Sequence, residues 1–220
     1  MKNSRITTGT IIMVLLLLSC ASGPVSKHKT QALYGMIYDR DNRPVSSVSV
    51  FINGTYRASS DINGHFIISE LRPKAQYAVS AKKPDYETVD MTIAYTDPSH
   101  VLYIHILSGD QLLTEAGEAI RDKNWQKAES LLSRARNAGA NQTSTHYLQG
   151  ILAWRREQYD EALAILTALT KTEKNAPYLY LFIADIHQYH TGDTAQAKAN
   201  LQKFLALRYD PGVEKRLREL

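Results

Sequence analysis

The chain has 220 residues, with 26 basic against 22 acidic side chains, a formal net charge of +4 and a sequence pI of about 9.0. The surplus is local: residues 1–19 hold Lys2, Arg5 and no acid, so the remainder is positive by only two charges, and Lys27 and Lys29 lie just beyond. That weakens the case for nucleic acid or anionic lipid as a partner, and a lone cysteine, Cys20, excludes an internal disulfide.

In chain order, residues 1–19 do not read as part of a fold. After the positive start comes Ile11-Ile12-Met13-Val14-Leu15-Leu16-Leu17-Leu18, an apolar run far short of the ~20 residues needed to span a bilayer, which predicts a signal peptide. Leu17-Leu18-Ser19-Cys20 resembles the bacterial lipobox, in which a small residue precedes the cysteine that receives a diacylglyceryl group before cleavage. The resemblance implies cleavage before Cys20 and a membrane anchor on Cys20. One acyl chain holds a membrane only marginally at ~0.8 kcal/mol per buried CH₂, whereas three hold it durably. Ala21 follows, where Asp favours inner-membrane retention in the Gram-negative lipoproteins that this resembles. The expected location is the outer membrane, facing the periplasm.

Residues 20–31 are small, polar and breaker-rich without an apolar period, and predict a flexible tether. The rest accommodates one large or two small domains, and its pattern changes character once, which favours two. The expected class is α+β multidomain, with a β-sandwich over 32–108 and an all-α region over 109–220.

Within 32–108 the apolar period is two. Val48, Val50 and Ile52 alternate with Ser47, Ser49, Phe51 and Asn53, and similar runs span 33–38, 64–68, 77–81, 88–94 and 101–107. Turns are marked by Asp41-Asn42-Arg43-Pro44, Asn53-Gly54, Asp61-Ile62-Asn63-Gly64 and Asp97-Pro98. About seven short strands at this spacing predict a small antiparallel sandwich. In the third turn Asp61 is expected to accept from backbone N–H groups two residues on, and Gly64 to take a positive φ.

Gly35-Met36-Ile37-Tyr38-Asp39, Pro44-Val45, Val48-Ser49-Val50, Ser60-Asp61-Ile62-Asn63-Gly64-His65-Phe66, Leu71-Arg72-Pro73, Tyr77-Ala78-Val79 and Asp85-Tyr86 follow one another in an order that resembles the carboxypeptidase regulatory-like domain. The resemblance implies a transthyretin-like β-sandwich serving as an accessory module without catalytic residues. Lys74 and Asp85 stand where that family usually has glycine. Asp39, Asp41 and Asp61 lack the spacing and closing bidentate carboxylate of a calcium loop.

After Ser108-Gly109-Asp110 the period becomes helical, and Trp125-Gln126-Lys127-Ala128 recurs as Tyr159-Asp160-Glu161-Ala162 at an interval of 34 residues. Gly150, Ala153, Tyr159, Ala162 and Leu166 fall in an order that resembles the tetratricopeptide repeat, as do Ala116, Ala119, Trp125, Ala128, Leu132 and Ala135 before them. A third copy runs from Pro177 through Ala184, repeats its second helix one residue late around Ala195 and Ala197, and closes at Asp210-Pro211. Three helix pairs and a closing helix over 213–220 are expected, with close helix contacts at Gly150, Ala116, Ala162 and Ala128.

The resemblance implies a concave groove lined by the first helix of each pair. By phase, its residues are Arg121, then Tyr147, Ile151, Trp154 and Arg155, then Tyr178, Leu181, Asp185, Gln188 and Tyr189. Tyr, Trp and Arg are the residues that most often carry interface energy. Alternatively, Trp154 and Tyr178 cover neighbouring helices or pack on the sandwich.

Chemistry-bearing patterns are missing: no Ser-His-Asp set, phosphate loop or paired-carboxylate motif stands in a recognisable frame, and His187 with His190 lacks a third metal ligand of suitable spacing. The expectation is a non-enzymatic adaptor that takes a protein partner in the cell envelope, without cofactor, metal or small-molecule substrate. The alternative is a carbohydrate- or peptidoglycan-binding lipoprotein that uses Tyr34, Tyr38, Tyr56 and Tyr103 on the sandwich.

Overall fold

The computed structural model describes residues 30–97 and 99–220. The predicted signal peptide, the lipidation position Cys20 and all but the last two residues of the predicted tether lie outside them.

Alternation of apolar and polar residues makes seven strands: β1 Gln31–Tyr38, β2 Ser49–Ile52, β3 Thr55–Ser59, β4 His65–Leu71, β5 Ala75–Lys82, β6 Val89–Tyr95 and β7 Val101–His105. They form a three-stranded sheet in the order β4-β1-β7 and a four-stranded sheet in the order β3-β2-β5-β6. Leu33, Ile37, Phe66, Ile68 and Ile104 from the first sheet and Val50, Ile52, Val79 and Ala81 from the second belong to one buried core. Two facing sheets that share one core make a sandwich.

The expectation of an antiparallel sandwich needs one correction: β1 and β7 pair in parallel, Tyr34 beside Val101 and Tyr38 beside His105. Strand direction is fixed by where the connection must end, and β7 has to deliver the chain to the helices beside the last residues of β1. Alternation alone carries no information on direction. Strand β3, which no run of alternating residues announces, follows from the Asn53-Gly54 turn (φ 48° and 78°), whose two positive φ angles suit a tight hairpin. It is an outer strand of its sheet and almost wholly exposed, so nothing selects an apolar face.

The turns show their mechanics. Asp61 Oδ1 accepts from the backbone N–H of Asn63 at 2.9 Å and of His65 at 2.8 Å. Gly64 has φ +76°, and a Cβ there would lie 2.4 Å from the Ile37 carbonyl oxygen. On the paired strands, the Phe66 ring covers Gly35, whose missing Cβ would fall 2.0 Å from the ring. Lys74 and Asp85 adopt left-handed backbone with φ 60° and 64°.

The helices are α1 Gly109–Arg121, α2 Trp125–Asn137, α3 Gln142–Arg155, α4 Tyr159–Thr172, α5 Pro177–Ile186, α6 Thr194–Leu207 and α7 Pro211–Glu219, and a π-helical turn, His187–Thr191, continues α5. They pack as the pairs α1 with α2, α3 with α4 and α5 with α6, and α7 packs on α6. Side chains of Ser108, Asn124, Asn141, Asp193 and Asp210 cap backbone N–H groups that the first turns of five helices leave open.

Small residues recur inside: Ala116, Ala128, Ala162, Ala184 and Ala197 are fully buried. The neighbour that Gly150 admits is Leu166, whose side chain would lie 3.0 Å from an added Cβ. Ala116 to Ala128 and Gly150 to Ala162 are twelve residues apart, but Ala184 to Ala197 is thirteen. The additional residue falls where α5 runs into the π-helical turn, a geometry that admits one extra residue into a helix.

No flexible segment separates sheet from helix. His105 ends β7, Ser108 caps α1, the Gly109 N–H donates to the Asp85 carbonyl at 2.9 Å, and the Glu87 N–H donates to the Leu107 carbonyl at 2.9 Å. The Gln111 amide donates to Asp39 at 2.9 Å, Arg40 donates to both carboxylate oxygens of Glu118 at 2.9 and 2.7 Å, and Arg134 Nε donates to Glu87 at 2.8 Å. These bonds reach α1 and α2, so the surface over α3 and α5 is not where the sandwich docks.

Candidate protein-binding surface

Helices α3 and α5 bring together the aromatic residues of the second and third pairs. Tyr147 meets Tyr178 edge to face at 5.4 Å between ring centroids and Phe182 at 6.4 Å. Trp154 meets Phe182 edge to face at 5.3 Å, its indole N–H donates to His190 Nε2 at 3.2 Å, and Tyr159 stacks on the His190 ring at 4.6 Å. Edge-to-face pairs at 4.5–7 Å add ~0.5–1.5 kcal/mol each beyond the area they bury. The result is a ladder of rings held in place by one another.

Exposure differs along the ladder. Tyr147 and Trp154 are half-buried, whereas Tyr178 keeps 47% of its surface in solvent. Burial, with a smaller contribution from Tyr178, raises the pKa of the Tyr147 phenol above its ordinary value. Arg155, exposed, places its guanidinium 5.0 Å from the centroid of the Trp154 ring. Cation and ring together form an amphipathic edge at the Phe182 end of the ladder.

The other predicted residues are distributed differently. Arg121, at the end of α1, is solvent-exposed beside Glu118 and apart from the ladder. Ile151 packs against the core of the first pair, and Leu181 against the core under α6 and α7. Asp185, Gln188 and Tyr189 form a second group around Arg216 of α7, which donates to Asp185 at 2.6 Å and to Gln188 at 2.6 Å and lies 5.0 Å from the centroid of the Tyr189 ring. The third pair is therefore partly covered by the closing helix, and Tyr189 stays 64% exposed at its rim.

Phe182 and His190 belong to the ladder but not to the predicted set. Phe182 was readable from its spacing, since Tyr178 and Phe182 stand four apart on one helix face. His190 was not, because the π-helical turn rotates it into place.

A separate cleft of about 390 Å³ lies among α2, α3 and α4, lined by Glu129, Arg136, Gln149, Arg156, Gln158 and Glu161 among others, and Arg156 pairs with Glu129 across it. Among the described residues, no group of three His, Cys, Asp or Glu side chains could hold a metal ion, and no helix is long and apolar enough to cross a membrane. The four sandwich tyrosines divide as well. Tyr34 and Tyr103 are exposed on the outer face of the three-stranded sheet, Tyr38 stacks on Tyr103 at 6.5 Å, and Tyr56 is exposed on the other sheet.

No family model and no curated protein matches the chain. Among solved structures it is similar to two interface mutants of a type II cohesin–X-dockerin complex from Acetivibrio cellulolyticus, each at 22% identity and a TM-score of 0.32 over 36% of this chain and 59% of that one. It is also similar to the major pilin subunit of Bacillus cereus, at 14% identity and a TM-score of 0.29 over 36% of this chain and 29% of that one. The chain thus spans little more than half of the cohesin–dockerin chains.

Proposed function

We propose that the protein is a lipid-anchored, non-enzymatic adaptor of the bacterial envelope, held on the outer membrane through Cys20, and that it binds a protein partner along α3 and α5. In this reading the sandwich is a carboxypeptidase regulatory-like spacer and the three helix pairs are tetratricopeptide repeats. The observation that carries it is the ladder of Tyr147, Trp154, Tyr178 and Phe182 with Arg155 beside it, because half-exposed Tyr, Trp and Arg on a rigid support lose little freedom when a partner buries them. Photo-crosslinking in cells from position 178, with position 209 between α6 and α7 as control, tests it. A discrete adduct from 178 and none from 209 is expected; equal labelling from both means that the ladder is not the contact.

The carbohydrate-binding alternative needs exposed rings on the sandwich, and Tyr34 and Tyr103 meet that need. It ranks second because their register neighbours include Met36, Ile67 and Val101, which offer sugar hydroxyls no hydrogen bonds.

A further inference from the structure

The outer face of the three-stranded sheet is an exposed apolar surface that the adaptor reading leaves unused. Register sets Tyr34 of β1 between Ile67 of β4 and Val101 of β7, and Met36 beside Tyr103. Tyr34, Ile67 and Tyr103 are each at least 50% exposed, Val101 is exposed at 39%, Met36 is half-buried beside Tyr103, and Tyr38 follows at the end of the face, stacked on Tyr103. A monomer seldom leaves so many neighbouring apolar side chains in water without using them. The residues that share this face by register also include His65 and His105, and the Asp61 carboxylate lies 3.8 Å from His65 at its edge.

Chain length says what lies near. Strand β1 starts at Gln31, eleven residues after Cys20, and Tyr34 follows three residues later. Eleven residues span at most ~40 Å even when fully extended, so with lipid on Cys20 the face never leaves the neighbourhood of the bilayer. Tyrosines with aliphatic neighbours suit the headgroup boundary, where the ring is buried and the hydroxyl stays wet.

We propose that the outer face of the β4-β1-β7 sheet lies against the lipid surface, with Tyr34, Ile67, Val101 and Tyr103 in the headgroup region. The proposal rests on the lipid-anchor reading. Docked this way, the sandwich fixes its orientation on the membrane, and with it the direction in which the α3–α5 ladder points.

The test uses the full lipidated chain reconstituted in vesicles of phosphatidylethanolamine and phosphatidylglycerol. Lipid consumes the Cys20 thiol, so an introduced cysteine is the one that carries a fluorophore. Label at Ile67→Cys and Tyr103→Cys is expected to shift to the blue and to be quenched about twofold or more by spin-labelled lipid, and label at Tyr56→Cys on the other sheet to be unaffected. Val101→Cys replaces either variant whose circular dichroism departs from that of the parent. No quenching at either face position, with lipid confirmed by the mass of the N-terminal peptide, overturns the proposal and leaves the anchor standing. Absence of that lipid removes the anchor; the face proposal then stands only if the unlipidated protein still shows quenching on the same vesicles. Protection of both positions from labelling by soluble peptidoglycan fragments, or disulfide-linked dimers of the unlabelled Tyr103→Cys protein in air, in place of quenching overturns it in favour of a glycan or a second copy.

Discussion

The indole N–H of Trp154 on α3 donates to Nε2 of His190 at 3.2 Å, and the same indole meets the Phe182 edge. Trp154 thus belongs both to the packing between the second and third pairs and to the candidate surface. Trp154→Ala is expected to lose about 2–3 kcal/mol, less than the ~3–5 typical of a fully buried tryptophan. Tyr178→Ala separates the two roles: it is expected to change stability by under ~1 kcal/mol while weakening partner capture by about 2 kcal/mol. Thermal unfolding and pull-down from the same preparations read both, and a Tyr178→Ala protein with undiminished capture removes that residue from the interface.

Asp39 is buried at the end of β1. Burial alone pushes its carboxyl up, but hydrogen bonds from the Arg43 backbone, the Gln111 amide and the Asp41 backbone outweigh it and hold the group below the usual carboxylate range. The folded-state pKa is depressed, so its stabilisation is complete above the unfolded value of ~3.9 and is lost as pH falls through the folded value. Asp39→Asn is expected to cost about 1–3 kcal/mol at neutral pH and to flatten the fall of stability below pH ~4. Urea midpoints across that range decide it; parallel curves for the two proteins count against the assignment.

Glu87 joins sheet to helix by accepting from the Leu107 N–H at 3.1 Å and pairing with Arg134 at 2.7 Å, with its side chain 11% exposed. Removing it by Glu87→Ala is expected to cost about 1–2 kcal/mol and to split a single calorimetric transition into two. One sharp transition in the variant means that the remaining joint couples the two parts unaided.

Lys74 holds left-handed backbone with φ 60°. A side chain in left-handed backbone costs ~1–2 kcal/mol, part of which glycine gives back as entropy of the unfolded chain. Lys74→Gly is expected to stabilise the protein by about 0.5–1 kcal/mol. A lower melting temperature for the variant shows that the lysine stem holds more than the turn gives up.

Cys20→Ser addresses the anchor. The variant is expected to incorporate no labelled fatty acid and to remain unprocessed or leave the membrane fraction. Undiminished lipid labelling of Cys20→Ser would end the lipoprotein reading.

Much of this was legible because period carries burial. Val48, Val50 and Ile52 alternate into the core, and the small residues around Ala128 and Ala162 recur inside the helix pairs. What the sequence hid has particular causes. The parallel pairing of β1 with β7 leaves the alternation unchanged, and β3 buries too little to show a period. The grouping of Asp185, Gln188 and Tyr189 depends on Arg216, about thirty residues away, whose approach no local pattern announces. Within the candidate surface, Tyr147, Trp154 and Tyr178 were readable as aromatic positions, but that they lean on Phe182 and His190 is a property of two helices meeting.

The π-helical turn at His187–Thr191 works as a phase corrector. An inserted residue in a continuous α-helix turns everything after it by about 100°, which would re-aim the turn at Gly192 and Asp193 that hands the chain to α6, the helix that carries Ala197. Widening one turn confines that rotation to five residues, and Ala197 stays fully buried. The displaced side chain is His190, which leaves the helix's ordinary track and reaches Trp154 and Tyr159 of the preceding pair. A change in length has thereby become a cross-link between neighbouring helix pairs, so deleting one residue here would restore a regular helix and sever that link.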